Sequence, residues 1–294
     1  MKKFKILIPC YNDWKSVFKL LNKIDEKVKP FNAEFSVIIV NDFSKEKIPD
    51  LKSNYTKIKS IDIINMKKNQ GHSRCFATGI KYLSQKINFD YLLLMDGDGE
   101  DRPEDLGLLI ASTIKNQDKS FVAKRIKRSE GYIFTFLYHL HKIITLFFTG
   151  KNMNFGHYSC LTKRDVILIS TKESLWSNFA GTVKKFIPNL NSIPSIRGLR
   201  YFGPSKMPLL GLVIHSFSII ATFKYQVLFR SIITIMVLTY FLLNNQNLIL
   251  IILIFFLVLF TSIIFLVSKR ESSEKLDQAL TQIDNVTNIH TKRL

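Results

Sequence analysis

The sequence predicts an α/β fold in which a mostly parallel sheet, covered by helices, precedes a C-terminal hairpin of two transmembrane helices. In the first half of the chain, short apolar runs alternate with segments whose apolar residues recur at helical spacing. This alternation favours a parallel sheet with helices on both faces. Near the C-terminus, Asn247–Val267 is a run of about twenty nearly all-apolar residues, long enough to span a bilayer.

The 294-residue chain combines 47% hydrophobic residues with a net charge of +19, an unusual pairing for a soluble enzyme. A basic and apolar chain indicates anionic partners such as a membrane surface, nucleic acid or a phosphorylated substrate. No nucleic-acid recognition motif accompanies the charge, so we expect no nucleic-acid partner. Cys10, Cys75 and Cys160 lie far apart without CxxC spacing, which predicts reduced thiols in a cytosolic compartment and no zinc site.

The expected elements follow from these patterns in chain order. Strands are predicted where the chain has short, continuous apolar runs: Phe4–Pro9, Phe35–Val40, Ile61–Met66, Tyr91–Met95 and Ser120–Ala123. Helices are predicted where apolar residues recur at helical spacing: Trp14–Val28, Gly71–Lys86 and Glu104–Asn116. Ligands of open α/β sheets bind at the carboxyl ends of the strands, so the loops there should contain the functional residues.

An acidic stretch follows the Tyr91–Met95 strand directly. Asp96 and Asp98 are separated by Gly97, which lets the backbone turn tightly. With Glu100 as a third candidate, these carboxylates predict a site for Mg²⁺ or Mn²⁺ and, through the ion, for a diphosphate. The alternative is a solvated acidic loop before a helix that Asp101 caps.

Polar residues also follow the first two strands and open the second helix. In Pro9-Cys10-Tyr11-Asn12-Asp13, the tyrosine ring could stack on a base, and Asp13 could cap a helix or contact ribose. Val40-Asn41-Asp42-Phe43-Ser44 offers a carboxylate for a base or ribose, and Asn69-Gln70-Gly71-His72-Ser73-Arg74 opens the next helix. Each segment alone could be an ordinary turn.

Together and in this order, these segments resemble the family 2 glycosyltransferases, and most closely the polyprenyl-phosphate glycosyltransferases that include dolichyl-phosphate mannose synthase. The family's Asp-x-Asp stretch is similar to Asp96-Gly97-Asp98, and its Arg-x-x-Arg pair is similar to Arg125 and Arg128. Its Gly-Asp-Phe-Arg-Leu segment is answered by Gly156–Leu161, and its Arg-x-x-Gly-x-Ser-Lys segment by Arg200–Lys206. The resemblance spans Ile6 to about Phe265.

The resemblance implies a GT-A type fold, a nucleotide-sugar donor, a polyprenyl phosphate acceptor and a Mg²⁺ or Mn²⁺ cofactor. It implies donor-binding roles for Pro9, Tyr11, Asn12, Asp13, Asn41, Asp42, Gly71, Arg74 and Asp96. It implies acceptor phosphate-binding roles for Arg125, Arg128, Arg200, Ser205 and Lys206. The expected catalytic residues are Asp96, Asp98, Arg125, Arg128 and His157, and the expected metal ligands are Asp96, Asp98 and Glu100.

The chain departs from the family pattern at four positions. Asn41 replaces the first aspartate of the Asp-Asp-Gly-Ser turn, and Phe43 replaces its glycine. Because phenylalanine is unfavourable at positive φ, we expect a different turn there. His157 and Ser159 replace the aspartate and arginine of the Gly-Asp-Phe-Arg segment.

Val227–Leu243 is a second candidate span, which an uncharged turn connects to Asn247–Val267. Basic residues flank this hairpin on both sides: Lys224, Arg230, Lys269 and Arg270. By the positive-inside rule both termini are expected in the cytoplasm, and the turn outside. Tyr132–Phe148 and Pro208–Phe223 fit either core helices or interfacial helices, and Pro208–Phe223 could also span. The tail from Ser268 is expected to be polar, with at most a short amphipathic helix that includes Leu276, Leu280 and Ile283.

These observations and the resemblance predict a multi-pass protein of the cell's inner membrane, as a possible homo-oligomer. It is expected to transfer a sugar, with inversion, from a nucleotide-diphosphate donor, expected to be a UDP-sugar, to polyprenyl phosphate on the cytoplasmic face. Four regions are expected: a catalytic domain (1–206), a juxtamembrane amphipathic helix (207–225), two transmembrane helices (226–268) and a polar cytoplasmic tail (269–294). The alternatives are a processive polysaccharide synthase of the same superfamily and a catalytically degenerate membrane scaffold.

Overall fold

A computed structural model describes residues 1–49, 55–86, 88–127, 132–204, 208–245 and 247–292. Within them, the strands are β1 (Lys2–Cys10), β2 (Ala33–Asn41), β3 (Ile58–Met66), β4 (Tyr91–Leu94), β5 (Phe121–Lys127), β6 (Ser159–Thr162), β7 (Asn191–Ile196) and β8 (Ile283–Thr291). The helices are α1 (Trp14–Lys27), α2 (His72–Lys86), α3 (Leu106–Lys115), α4 (Tyr132–Thr149), α5 (Lys163–Ile169), α6 (Phe179–Phe186), α7 (Leu209–Ala221), α8 (Lys224–Asn245), α9 (Leu248–Ser268) and α10 (Ser273–Asp277). Short 3-10 turns lie at Pro103–Asp105, Glu173–Trp176 and Gln278–Gln282.

The strands form one sheet in the order β7-β5-β6-β4-β1-β2-β3-β8. The central strands β4, β1, β2 and β3 are parallel, as the sequence predicts, whereas β6 and β8 run antiparallel to their neighbours. β1 and β2 are aligned in register up to the pair Cys10 and Asn41, and Leu7 pairs with Leu94 of β4. The loops after β1, β2 and β4 therefore begin side by side at one edge of the sheet.

Two hydrophobic cores cover the two faces of the sheet. In β1, Ile6 and Ile8 belong to the core beneath α1 and α3, whereas Leu7 belongs to the core beneath α2, α5 and α6. This separation follows from the alternation of side chains along a strand. All three side chains are fully buried, which explains why the strand has a continuous apolar pattern.

The C-terminal tail differs from the expected polar segment. After α9 it forms α10 and a 3-10 turn, and β8 then pairs antiparallel with β3 as the edge strand of the sheet. The expected short helix ends at Asp277, and the segment that includes Ile283 extends into the strand. The strand was not predicted because its side chains are mainly polar and exposed, as an edge strand outside the core allows.

Two helices, α8 and α9, are long and apolar enough to cross a membrane, judged by length and composition. They coincide with the two predicted spans. A third apolar cluster joins them to α4 and α7 through Phe148, Phe217, Val227 and Phe260, among others. α4 and α7 lie where the sequence predicts helices with apolar faces, and α7 is only 13 residues long.

Candidate active site

A cavity of about 410 Å³ opens where the loops after β1, β2 and β4 meet. The N-terminus of α2, the loop after β7 and the first turns of α7 complete its walls. Its lining includes most of the predicted donor residues: Pro9, Tyr11, Asp13, Asp42, Gly71 and Asp96. Asp98 and Glu100 also line the cavity. The convergence agrees with the rule that open α/β sheets bind ligands at the carboxyl ends of their strands.

The acidic loop folds back on itself after β4. Gly99 adopts φ +90°, and a Cβ there would lie 2.6 Å from the Tyr201 ring, so a larger residue would be strained. The carboxylate of Asp101 accepts a hydrogen bond from the backbone N–H of Asp96 at 2.9 Å. Asp101 thus closes the loop and does not cap the following helix, which corrects the alternative interpretation of this stretch.

Two arginines from the loop after β7 pair with the acidic loop. Arg200 donates to Asp98 at 2.6 Å and to Asp13 at 3.4 Å, and Arg197 pairs with Glu100. Backbone hydrogen bonds from Gly198 to Glu100 and from Tyr201 to Asp98, both 2.8 Å, hold the two loops together. Of the three predicted metal ligands, Asp98 and Glu100 are therefore engaged by guanidinium groups.

The third predicted ligand, Asp96, lies between two histidines. His72 Nε2 is 3.0 Å and His157 Nδ1 is 3.7 Å from Asp96 Oδ1. One ligand atom from each of these residues lies within 4.8 Å of the others, a spacing that could hold a metal ion. His157 stacks on Phe76 with ring centroids 4.3 Å apart and packs on Phe179 at 5.6 Å. The aromatic contacts fix the imidazole in place.

Burial and neighbouring charges alter the pKa of each group in this cluster. Burial alone would raise the pKa of Asp96, but His72, His157 and Arg197 lower it well below its usual range. Burial and then the Asp96 carboxylate raise the pKa of Asp98, and they raise that of Asp101 to about 7.

The two histidines respond in opposite directions. Burial lowers the pKa of His157 well below its ordinary value, and nearby His72 adds to this effect. Burial would also lower the pKa of His72, but the Asp96 carboxylate outweighs it and raises that pKa. His157 is therefore a neutral imidazole, the protonation state in which histidine binds metals.

Three other predicted donor residues have contacts outside the cavity lining. The side chain of Asn12 accepts a hydrogen bond from Lys45 N at 2.8 Å. Asn41 donates to Asn65 at 2.8 Å and accepts from Ser44 N at 3.0 Å. Arg74 lies over the Trp176 ring in a second cavity.

The turn after β2 keeps the left-handed conformation that phenylalanine disfavours. Phe43 has φ +62°, so the expectation of a different turn is wrong for its backbone. The hydrogen bond from Ser44 N to Asn41 and a 2.9 Å bond from Asn12 N to Ser44 Oγ hold it. The Phe43 ring is exposed and meets no steric opposition from a core.

The predicted acceptor residues are described only in part. Arg125 lies against Gly156, where a Cβ would be 2.5 Å from its guanidinium, and its charge acts on Asp101 and His157. Arg200 lies on the carboxylates described above. Arg128, Ser205 and Lys206 lie outside the described residues.

Sequence reasoning missed three residues of the site: His72, Arg197 and His215. His72 lies in the Asn69–Arg74 segment, directly after its glycine. Arg197 lies three residues before Arg200. His215 is a lone histidine in apolar α7, and its ring centroid is 6.2 Å from that of His157. Its position in an otherwise apolar helix was the available signal.

Comparison with known proteins places this geometry in context. Residues 5–174 match the family profile "Glycosyl transferase family 2". An undecaprenyl-phosphate 4-deoxy-4-formamido-L-arabinose transferase of Salmonella choleraesuis is 23% identical over 224 residues, which cover 72% of this chain and 65% of that protein. An uncharacterized glycosyltransferase of Synechocystis sp. is 26% identical over 129 residues, 44% of this chain and 39% of that protein. The matches span less than two thirds of either relative's length.

Among solved structures, glucosyl-3-phosphoglycerate synthase from Mycobacterium tuberculosis has a similar fold. Its complex with Mn²⁺, uridine diphosphate and glucosyl-3-phosphoglycerate aligns with a TM-score of 0.50 at 12% identity, over 76% of this chain and 80% of that chain. Its complex with uridine diphosphate aligns with a TM-score of 0.51 at 11% identity, over 77% of this chain and 80% of that chain. At these identities the likeness concerns the fold.

Proposed function

The chain belongs to glycosyl transferase family 2, and we propose that it transfers a sugar from a nucleotide-diphosphate donor to polyprenyl phosphate at a membrane surface. The observation that carries the proposal is the position of the cavity. Its floor is the acidic loop after β4, and Pro208 and Leu212 at the start of α7 line its other side. α7 packs on α9, one of the two membrane-length helices. A polar donor and a lipid acceptor can thus meet in one cavity.

Two comparisons support the substrate classes. The Salmonella relative is named for transfer to undecaprenyl phosphate, and the mycobacterial synthase was crystallised with uridine diphosphate. In this chain Tyr11 is partly exposed at the cavity, where its ring is available for stacking on a base. Asp42 accepts from Gln70 N at 2.7 Å and Gly71 N at 2.8 Å, and so fixes the loop that forms the donor wall.

The residues present fit a divalent metal ion. Asp96 Oδ1 is buried, and no described group makes a well-aligned hydrogen bond to it, although His72 Nε2 lies nearby. We assign Asp96, His72 and His157 as the groups that would hold the ion, which would replace the proton that the Asp96 carboxylate favours on His72. Asp98 would be available if Arg200 moved away. Mg²⁺ prefers an all-oxygen ligand set, so two imidazole nitrogens favour a transition-metal ion such as Mn²⁺. When bound, the ion would neutralise charge that develops on the diphosphate leaving group.

The protein's own residues perform the remaining tasks. The acceptor phosphate oxygen is already anionic near neutral pH, so direct displacement at the anomeric carbon needs no strong general base and would invert that centre. Arg125 lies beside the cluster and supplies positive charge, and the proposal assigns Arg128, Ser205 and Lys206 to the same phosphate. Charge-assisted contacts of this kind orient a phosphate and stabilise it.

We assign α8 and α9 as a hairpin that crosses the membrane twice, with the catalytic domain and both termini in the cytoplasm. β8, which follows the hairpin, pairs with β3, which precedes it. Both ends of the hairpin must therefore be on one side, which supports an even number of crossings. Basic residues at both flanks support the cytoplasmic side.

A donor screen tests the proposal. The full chain in detergent is incubated with each nucleotide sugar, undecaprenyl or dolichyl phosphate, and Mn²⁺, and the lipid product is separated by chromatography. We expect transfer from at least one donor, loss of transfer in chelator, and loss in Asp96→Asn. If no donor gives a lipid-linked sugar while the protein remains folded, the enzyme proposal fails and the scaffold alternative is favoured.

A further inference from the structure

A second cavity, of about 270 Å³, lies where the chain returns from α9 to the sheet. One wall comes from Lys68, Gln70 and Arg74 around the start of α2, and another comes from Lys275 and Gln282 in the tail. Gln70 Nε2 donates to Gln282 at 3.2 Å, and Lys67 N donates to the Gln282 carbonyl at 2.9 Å. The tail thus builds a cavity that the preceding residues could not form alone.

The lining of this cavity is basic, and none of its lining residues is acidic. Lys68 and Lys275 are exposed, and neither forms an ion pair with any residue in the described part of the chain. The Arg74 guanidinium lies 5.6 Å from the Trp176 ring centroid and donates to Gln70 O at 3.1 Å. Arg74 is half-buried, and the charges that act on it are those of the cation Arg270, just after α9, and the carboxylate Asp42.

The acidic groups near the cavity are already engaged. Asp277 pairs with Lys81 at 2.7 Å, and Glu274 accepts from Gln278 at 3.4 Å. Trp176 lines the cavity, is only 4% exposed and presents its ring to the Arg74 guanidinium. The three cations and the side-chain amides of the cavity together match the oxygens of a phosphate group.

We propose that this second cavity binds a phosphate-bearing anion, supplied either by the headgroup of an anionic phospholipid or by a soluble phosphate compound. The donor cavity is the 410 Å³ cavity to which the nucleotide sugar is assigned above. Residues of the segment 68–75 line this cavity on one side and the second cavity on the other, so occupancy would be communicated through that segment. Gln70 lines the second cavity, and the backbone N–H groups of Gln70 and Gly71 donate to Asp42 of the donor cavity. The binding site itself does not depend on the proposed transfer reaction.

Binding of pyrophosphate to the full chain in nonionic detergent tests the soluble arm. Titration calorimetry in chelator measures affinity, and tryptophan fluorescence in a Trp14→Phe background reports Trp176 at the site. We expect Arg74→Gln to weaken binding roughly tenfold or more, because a charge-assisted contact is lost. Lys275→Gln, an exposed change that leaves the fold intact, should weaken it by a smaller factor. In the matched control Lys115→Gln, the changed residue is an exposed lysine of α3 outside both cavities, and this variant should bind pyrophosphate as wild type does.

The lipid arm uses nanodiscs of phosphatidylcholine with or without phosphatidylglycerol, with retained lipid counted by native mass spectrometry. Phosphatidylglycerol retention that Arg74→Gln and Lys275→Gln both reduce identifies a headgroup site, and pyrophosphate binding with the same pattern identifies a soluble ligand. The proposal is overturned if neither probe binds, or if Lys115→Gln matches the other two variants. Pyrophosphate binding that Arg200→Ala abolishes and Arg74→Gln leaves intact would place the anion in the donor cavity and also overturn it.

Discussion

At the scale of single residues, the structure and the sequence prediction differ in the side chains that they place around Asp96. The predicted carboxylate set was reasonable because Asp96, Asp98 and Glu100 follow one strand, and the structure does place all three at the cavity. Sequence spacing could not show that Arg200 and Arg197 would engage two of them from about a hundred residues away. The sequence identifies His157 as a departure from the family pattern, and the structure places its Nδ1 3.7 Å from Asp96 Oδ1.

His157→Phe tests the histidine as a metal ligand. Phenylalanine preserves the ring contacts with Phe76 and Phe179 but removes both nitrogens, so we expect the fold to persist. Loss of a supporting residue at a metal site weakens binding about 10–100-fold, and loss of a ligand should do at least as much. The readout is Mn²⁺ affinity by titration calorimetry. His215→Phe is the matched control, and equal losses in both variants would contradict the assignment.

Arg200→Ala separates a donor role from the acceptor role predicted from sequence. Because Arg200 bridges Asp98 and Asp13 at the donor cavity, we expect the apparent KM for the nucleotide sugar to rise roughly tenfold or more. The requirement for polyprenyl phosphate should change much less. Lys269→Ala, after α9, controls for general attraction to anionic lipid. A larger effect of Arg200→Ala on the acceptor than on the donor would restore the role predicted from sequence.

At the scale of elements, the GT-A type fold and the first five strands were predictable because β4 and the C-terminal halves of β1 and β2 are apolar and buried on both faces. β6 is only four residues long, and β8 is an exposed edge strand containing Asp284, Asn285 and Asn288. Neither sequence has a periodic pattern of apolar residues that would distinguish it from a loop. Pairing with an existing edge, and not local propensity, determines such strands.

Asp25 shows how one side chain joins two elements. From α1 it accepts hydrogen bonds from the backbone N–H groups of Thr56, Lys57 and Ile58, at 2.7–2.8 Å, and so holds the start of β3. Asp25→Ala would leave the buried N–H of Ile58 and the more accessible N–H groups of Thr56 and Lys57 without this acceptor, which should lower the free energy of unfolding by about 1–3 kcal/mol. The measurement is a thermal unfolding scan in detergent. Glu26→Ala, on the exposed face of α1, should have little effect.

The same carboxylate predicts a pH dependence. Burial would raise the pKa of Asp25, but the hydrogen bonds from Thr56, Ile58 and Lys57 outweigh it and lower that pKa. A folded-state pKa below the unfolded value of about 3.9 stabilises the protein fully above that pH, and the contribution is lost as pH falls through the folded value. The stability difference between wild type and Asp25→Ala should therefore be constant near neutrality and shrink below about pH 4. A difference that grows on acidification would show that Asp25 is not the stabilised carboxylate.

At the scale of the whole molecule, the tail connects the sheet to the hairpin of α8 and α9. Lys224 at the start of α8 bonds to Glu271 after α9 at 2.9 Å, and β8 then joins the sheet beside β3. The sequence does not predict these contacts of the tail, because the partners of Glu271 and β8 lie far away in sequence. Because β8 pairs with β3, the two ends of the α8–α9 hairpin must lie on the same side of a membrane, and this membrane topology can be tested.

Cysteine labelling tests that topology. Cys10, Cys75 and Cys160 are buried, but Cys10 and Cys75 line the 410 Å³ cavity, so a chain with serine at these two positions serves as the background. Asn244 near the end of α8 and Ser273 at the start of α10 are both exposed. If α8 and α9 cross the membrane, Asn244→Cys should be labelled in intact cells and Ser273→Cys only after permeabilisation, because Ser273 precedes a strand of the catalytic sheet. Labelling of both positions from the same side would mean that the hairpin does not span. The reversed pattern would place the cavity outside, away from cytosolic nucleotide sugars.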